Sequence, residues 1–391
     1  MIWLKVIVYI CIFLLVYSYL IFPWILQILS KNKTSKVIEP ASIELKKVSI
    51  VLAVYNEEKV IREKIESFLS LNYPVENIEF IIGSDGSTDS TEIIIEEYIN
   101  LYPRIRLVKF GGRTGKSGIL NQLIPLTTGE ILILTDANIY FEKEMVMNLV
   151  AGFYDATIGL VAANIQNTGM DKIGISLQEE KYIQRENLIK YREGELWGTL
   201  MGAFGACYAV RKKLVKAIPP NHLMEDFYIS MKVLEAGYKN IMSLKAFAFE
   251  DVSESVAEEF KRKVRISAGN FQNLTHFYKM LWPVYRPIGF CFLSHKVLRW
   301  LGPFWIIVII AGSTILYSQN LFFMMLFWFS MAGIFSPLMD WILAKLNIHN
   351  FAVRLISYFF LMNFALLIGF GKYIKGIKTS AWQPTQRNIK E

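Results

Sequence analysis

The chain opens with an unbroken apolar stretch. Residues 2–29 are almost wholly aliphatic and aromatic, interrupted by Lys5 and a few neutral polar side chains. That length spans a bilayer and exceeds a signal-peptide core, and no small-residue cleavage site follows it, so a retained anchor is expected. Residues 30–46 read as a polar linker. From Val48 the pattern changes to short apolar runs separated by amphipathic ones. Val48–Ala53, Ile78–Gly83, Ile105–Phe110, Ile131–Thr135 and Leu160–Ile165 predict strands, with helices over Asn56–Ser70 and Asp89–Asn100. Asp89 with Glu92 is a candidate N-terminal capping pair for the second helix. Strands that are apolar throughout and alternate with helices predict an α/β fold, a mostly parallel doubly wound sheet with helices on both faces. Gly169–Glu195 reads as a polar surface helix crossing the crevice, followed by the small-residue segment Gly198–Ala209 and a mixed region to about Lys279.

After Trp282 the apolar pattern returns. Leu281–Lys296, with prolines, aromatics and Arg286, reads as an interfacial helix. Leu298–Tyr317, Leu321–Leu343 and Phe351–Gly371 are three candidate spans, followed by a basic tail over 372–391. Lys31, Lys33 and Lys36 follow the first span against Lys5 before it, which places the 47–279 domain in the cytoplasm. Three full spans after that domain would put the basic tail outside, against the same rule. One stretch is therefore re-entrant or interfacial, or two form one hairpin unit.

Composition agrees with a membrane protein: 53% of residues are hydrophobic and the mean hydropathy is +0.33. The 42 Lys and Arg against 34 Asp and Glu leave a net charge of +8, compatible with anionic lipid or an anionic small substrate. No nucleic-acid partner is expected. Cys11, Cys207 and Cys291 are isolated, and the four histidines form no pair, so neither a disulfide framework nor a zinc site is indicated.

Candidate chemistry falls at the ends of the predicted strands, where parallel sheets bind ligands. Asp136-Ala137-Asn138 follows Ile131–Thr135 and presents two oxygen-bearing side chains suited to Mg²⁺ or Mn²⁺; Asp and Asn are also ordinary turn formers. Tyr55 at the end of the first strand can stack on a base. Asp85, in Ser84–Asp89, can accept a hydrogen bond from a base or ribose, although Asp-Gly-Ser-Thr is also a common turn. Gly111–Ser117 supplies Arg113 and Lys116 beside glycines for an anionic substrate. It is not a P-loop, since Phe110 stands where that motif needs glycine. Glu225 and Asp226 lie among apolar neighbours that tune a carboxylate as a general base, or cap a helix over Phe227–Ala236. Adjacent residues on a helix point apart, so one of the two acids is expected to face the site. Arg262 and Arg265 share a helical face and either clamp a diphosphate or bind anionic lipid.

In this order, AVYNE, SDGSTD, RTGKSGILN, TDAN, MEDF and RKVRI resemble the motifs of GT-A-fold family 2 glycosyltransferases, most closely the membrane-embedded cellulose-synthase-like and hyaluronan-synthase-like members. The resemblance runs from about Val48 to Asn273. It implies a nucleotide-sugar donor, most often a UDP-sugar, a divalent cation, inverting transfer, and a carbohydrate or lipid-linked acceptor among membrane lipids. Tyr55, Glu57 and Asp85 match the nucleoside-contacting positions. Asp136 and Asn138 match the Asp-x-Asp metal and diphosphate motif, and Asp226 matches the catalytic base. Arg262, Arg265 and Ile266 match the Gln-x-x-Arg-Trp motif over the diphosphate. Asn138 stands in place of the second Asp, Arg262 in place of Gln, and Ile266 in place of Trp. Isoleucine cannot stack on a sugar ring as tryptophan does, which argues against long-chain processive synthesis.

Overall fold

A computed structural model describes residues 1–31, 45–168, 176–251, 256–346, 348 and 350–382. Most of the expected linker and the end of the basic tail lie outside these. The sheet has eight strands: β1 Val48–Val54, β2 Ile78–Ser84, β3 Ile105–Lys109, β4 Ile131–Thr135, β5 Ile139–Phe141, β6 Ile158–Thr168, β7 Cys207–Arg211 and β8 Lys239–Asp251. Their spatial order is β3-β2-β1-β4-β7-β6-β8-β5, with β3, β2, β1 and β4 mutually parallel. The five strands expected from sequence are all present, and β5, β7 and β8 are additions. β7 enters antiparallel between β4 and β6, and β5 antiparallel to β8, so the sheet is mixed.

Side chains alternate between two apolar layers, as the strand period requires. Val51, Ile81, Leu132 and Leu134 face one layer with Leu120 and Leu123. Ile50, Leu52, Phe80 and Ile133 face the other with Ile61, Ile65 and Phe68. Helix Ile61–Leu69 starts later than its pattern suggested, because Asn56 adopts φ 52° and the Glu57 carbonyl accepts from Val60 and Ile61. Asp89 caps Thr91, but Glu92 turns to the Ser84 hydroxyl instead of closing the expected capping box.

The chain winds outward from β1 to β3 and returns to β4 on the other side of β1. The order therefore reverses between β1 and β4, which opens a crevice beyond their carboxyl ends.

Three helical segments are long and apolar enough to cross a membrane: Ile2–Ser30, Leu321–Lys345 and Phe351–Ile374. The stretch between them is two helices, Pro287–Trp300 and Gly302–Ile315, meeting at a 56° bend. Helix Phe351–Ile374 lies along helix Val256–Phe277, with Phe271 and Phe370 ring centroids 4.7 Å apart and Ser267 Oγ donating to the Leu366 carbonyl at 2.7 Å. The expected surface helix is instead a load of buried polar groups: Ser176–Trp197 buries Glu186, Lys190 and Glu193. His295 lies between Glu193 at 2.8 Å and Glu186 at 3.0 Å, which ties the bent membrane segment to the domain.

Gly129, just before β4, packs flat on β1: a Cβ there would stand 2.5 Å from the Ser49 nitrogen and 2.7 Å from the Val48 carbonyl carbon. Backbone cannot yield as a side chain can. Gly129→Ala is expected to destabilise the domain by about 1–3 kcal/mol, read as a lowered Tm in detergent; an unchanged Tm would refute this packing.

Candidate active site

The crevice is built from the ends of β1, β2 and β4. Below it, the fully buried Lys64 donates to Thr135 Oγ1 at 2.9 Å and to the Ile139 carbonyl at 2.6 Å. These bonds straddle Asp136–Asn138 and fix the turn from beneath. Burial lowers the Lys64 ammonium to about 7.

Asp85, fully buried, accepts from the Thr114 amide at 2.6 Å, Thr114 Oγ1 at 3.1 Å, the Gly115 amide at 3.0 Å and Arg113 Nε at 3.2 Å. A carboxylate has about four acceptor positions. All are used within the chain, so Asp85 orders the Gly-rich loop. Arg113, held by Asp85, places its guanidinium carbon 3.3 Å from the Tyr55 ring centroid and 5.5 Å from that of Trp382. The Trp382 carbonyl accepts from Arg113 at 2.5 Å, and Ser380 is buried over Gly115 (φ +78°). The start of the basic tail is thus seated on the loop. Glu57 lies half-buried beside this group, its amide donating to Thr91 Oγ1 at 2.8 Å.

Lys116, the second residue of helix Gly115–Leu123, joins the two halves of the site. Its Nζ is 2.6 Å from Asp136 Oδ1 and 2.7 Å from Glu225 Oε1. Burial would lower this ammonium, but the two carboxylates outweigh burial and hold it above its ordinary value. Glu225 and Asp226 begin helix Glu225–Glu235, and both are buried. The expectation that only one would face inward fails for a local reason: at a helix start the first side chain turns back to Lys116 while the second lies against Gly205, whose Cβ position is 3.0 Å from Asp226 Oδ2. Burial first, and then the Glu225 charge, push the Asp226 carboxyl up to about 6, against the pull of Lys116. Buried Lys190, its Nζ 3.2 Å from the Phe204 centroid, is lowered by burial to about 7.

Asn138 Nδ2 is 3.5 Å from Glu250 Oε1, and Arg262 Nη1 is 3.7 Å from the same oxygen. Arg262 also pairs with Glu259 at 2.8 Å, while Arg265 Nε, three residues on, is buried without a hydrogen-bond partner. Among the described residues no three His, Cys, Asp or Glu side chains are grouped as a metal cage. A donor set of Asp136 and Asn138 oxygens still fits a hard cation, because Mg²⁺-type ions are held by one or two carboxylates with the remaining positions filled by water and substrate phosphates.

Sequence reading missed Lys64, Lys190, Glu250 and Trp382. Lys64 and Lys190 look like ordinary solvated helix lysines. Glu250 lies on a strand whose alternation, Ala246 and Ala248 buried between Phe247 and Phe249, is visible in retrospect. A groove of about 540 Å³ between Trp24–Lys31 and the far side of helix Ser176–Trp197 contains none of the site's acids.

A GT-A-type sheet with a nucleotide crevice and a buried acid at its lip defines a sugar-transferring enzyme class. The family described as Glycosyl transferase family 2 matches residues 49–218, and Glycosyl transferase family group 2 matches 184–372. The chain belongs to the family 2 glycosyltransferases. It is 26% identical over 263 residues to a beta-monoglucosyldiacylglycerol synthase of Synechocystis sp., covering 64% of this chain and 53% of that one. It is likewise 26% identical over 231 residues to a poly-beta-1,6-N-acetyl-D-glucosamine synthase of Staphylococcus epidermidis, covering 58% and 55%. The chain thus spans little more than half the length of these relatives. The fold is similar to that of a mannosyltransferase from Pyrobaculum calidifontis solved with GDP-Man and Mn²⁺, with a TM-score of 0.72, 20% identity, and coverage of 94% of this chain and 99% of that one.

If Asp85 orders the loop, Asp85→Ala is expected to speed amide hydrogen exchange at Thr114 and Gly115 by about tenfold or more, since bonds to a charged acceptor contribute about 1.5–3 kcal/mol. Unchanged exchange would assign the loop's order elsewhere.

Proposed function

We propose that this protein is an inverting glycosyltransferase that moves a sugar from a nucleotide-sugar, a UDP-sugar in the first instance, to a hydroxyl acceptor in polysaccharide or glycolipid assembly at the membrane. The observation that carries this reading is Lys116, within 2.7 Å of both Asp136 and Glu225. One side chain separates the carboxylate suited to a donor diphosphate from the acid pair suited to deprotonating an acceptor. In-line displacement at an anomeric carbon needs that short spacing.

Tyr55, Glu57 and the Asp85-ordered loop with Arg113 form the nucleoside end, and Lys116, Arg262 and Arg265 the diphosphate end. Asp136 with Asn138 would hold a divalent cation, Mg²⁺ or Mn²⁺, which neutralises charge on the leaving diphosphate. Asp226 takes the acceptor hydroxyl proton as the new bond forms; a carboxyl raised to about 6 is a stronger base than an ordinary Asp and is still ionised at neutral pH. Burial of Glu225 and Asp226 strengthens their interactions by excluding water.

The tail bears on location. Contact between Trp382 and Arg113 supports a tail that starts on the same side of the membrane as the catalytic domain, with an even number of crossings between the two. That count takes the 56° bent segment Pro287–Ile315 as re-entrant and not as a crossing. With lysines on both the linker and the tail, that side is the cytoplasm.

The reading is tested with purified protein in detergent, UDP-, GDP- and dTDP-sugars, Mn²⁺ or Mg²⁺ and membrane extract. Asp136→Ala is expected to abolish transfer, and Asp226→Asn to lower kcat by about 10²–10⁴-fold. Because the working form is the ionised one, the wild-type rate falls as pH drops through about 6; the residual Asp226→Asn rate lacks that limb. Full transfer by either variant, or the same acid limb in Asp226→Asn, contradicts the assignment.

A further inference from the structure

Asn138 poses a charge problem. Asp136 and Asn138 together carry one negative charge, while the proposed chemistry asks them to hold a divalent cation beside a diphosphate. The residue that answers this is on another strand. In the β5–β8 pair, Ile139 faces Glu250 directly, so Glu250 emerges one rung from Asn138 on a rigid element and not on a loop. Its Oε1 lies 3.5 Å from Asn138 Nδ2. With its NH₂ group turned to Glu250, the Asn138 amide directs its carbonyl oxygen the other way, and that oxygen is the only atom of the side chain able to ligate a cation.

We infer that Glu250 completes the cation site, orienting the Asn138 amide and supplying the negative charge that position 138 lacks. The inference rests on the cation-dependent reading above and adds a residue to it. The site has a consistent pattern: Lys116 faces Asp136 at 2.6 Å, and Arg262 faces Glu250 at 3.7 Å. Each proposed anionic member already stands beside a cation of the chain, as expected of carboxylates placed to attract positive charge. Partners that orient and polarise a metal ligand typically change affinity by about 10–100-fold when removed. The competing role for Glu250 is to buttress Arg262 alone, which would leave the cation untouched.

Mn²⁺ binding separates these roles without any turnover. The full chain in detergent is titrated with Mn²⁺ in the presence of UDP, and free ion is read from its electron paramagnetic resonance signal. Glu250→Gln is expected to weaken Mn²⁺ binding by about tenfold or more. Adding Asn138→Asp to that variant returns the lost charge to position 138 and is expected to restore binding to within about threefold of wild type, the remaining difference being the orientation Glu250 provides. That recovery also shows that the variant chain is folded. Glu250→Asp, which keeps the charge, is expected to bind more tightly than Glu250→Gln. Two results overturn the Glu250 assignment while leaving the cation reading intact: wild-type Mn²⁺ affinity in Glu250→Gln, or a loss that Asn138→Asp does not restore. Absence of Mn²⁺ binding by the wild-type protein overturns the cation reading, and the Glu250 assignment with it.

Discussion

The site depends on one buried ammonium group. Lys116 stands between Asp136, at the end of a parallel strand, and Glu225, at the start of a helix, and so joins these two elements directly. One cation between two carboxylates leaves a net negative charge in a poorly solvated place. Asp226, adjacent to Glu225, would add another. Burial first, and the Glu225 charge second, raise its carboxyl to about 6, while the two carboxylates hold Lys116 firmly protonated against burial. The same imbalance makes an anionic donor unwelcome unless positive charge arrives with it. Cation binding, the Arg262 helix and the Gly-rich loop with Arg113 all answer that single electrostatic demand.

Membrane attachment and catalysis share parts. Helix Val256–Phe277 carries Arg262 and Arg265 on one side and packs along the apolar helix Phe351–Ile374 on the other. Directly after that membrane helix the chain reaches back to the Gly-rich loop, where the rings of Trp382 and Tyr55 both lie near the Arg113 guanidinium. On the opposite flank, His295 and Arg299 of the bent segment bond to Glu186 and Glu193 of the helix that also carries Lys190. The domain is therefore held by the apolar terminal helices through two separate sets of contacts.

Much of this was legible in the sequence, for definable reasons. Strands β1, β2 and β4 are buried on both faces and so appear as largely apolar runs; Ile131–Thr135 was located to the residue. The motif residues lie at strand ends because parallel sheets put their ligand edge there. What the sequence hid depends on pairing between distant segments. β5, β7 and β8 are short or polar by composition and become strands only through their neighbours. The loop-ordering role of Asp85, which accepts four hydrogen bonds from residues 113–115, was hidden because it pairs segments about thirty residues apart. Helix Ser176–Trp197 looked solvated because its buried acids, Glu186 and Glu193, are compensated by side chains about a hundred residues away, and Lys190 lies against the Phe204 ring. Glu250 could not be tied to Asn138 without the register of β5 on β8.

Central to the account is direct displacement at the anomeric carbon by an acceptor activated at Asp226. Its stereochemical outcome tests it most directly. Once an active α-linked nucleotide-sugar is found, the anomeric configuration of the first product can be read by proton NMR from the coupling constant of its anomeric hydrogen. The account predicts a β-linked product, with inversion from the donor. An α-linked first product would contradict it.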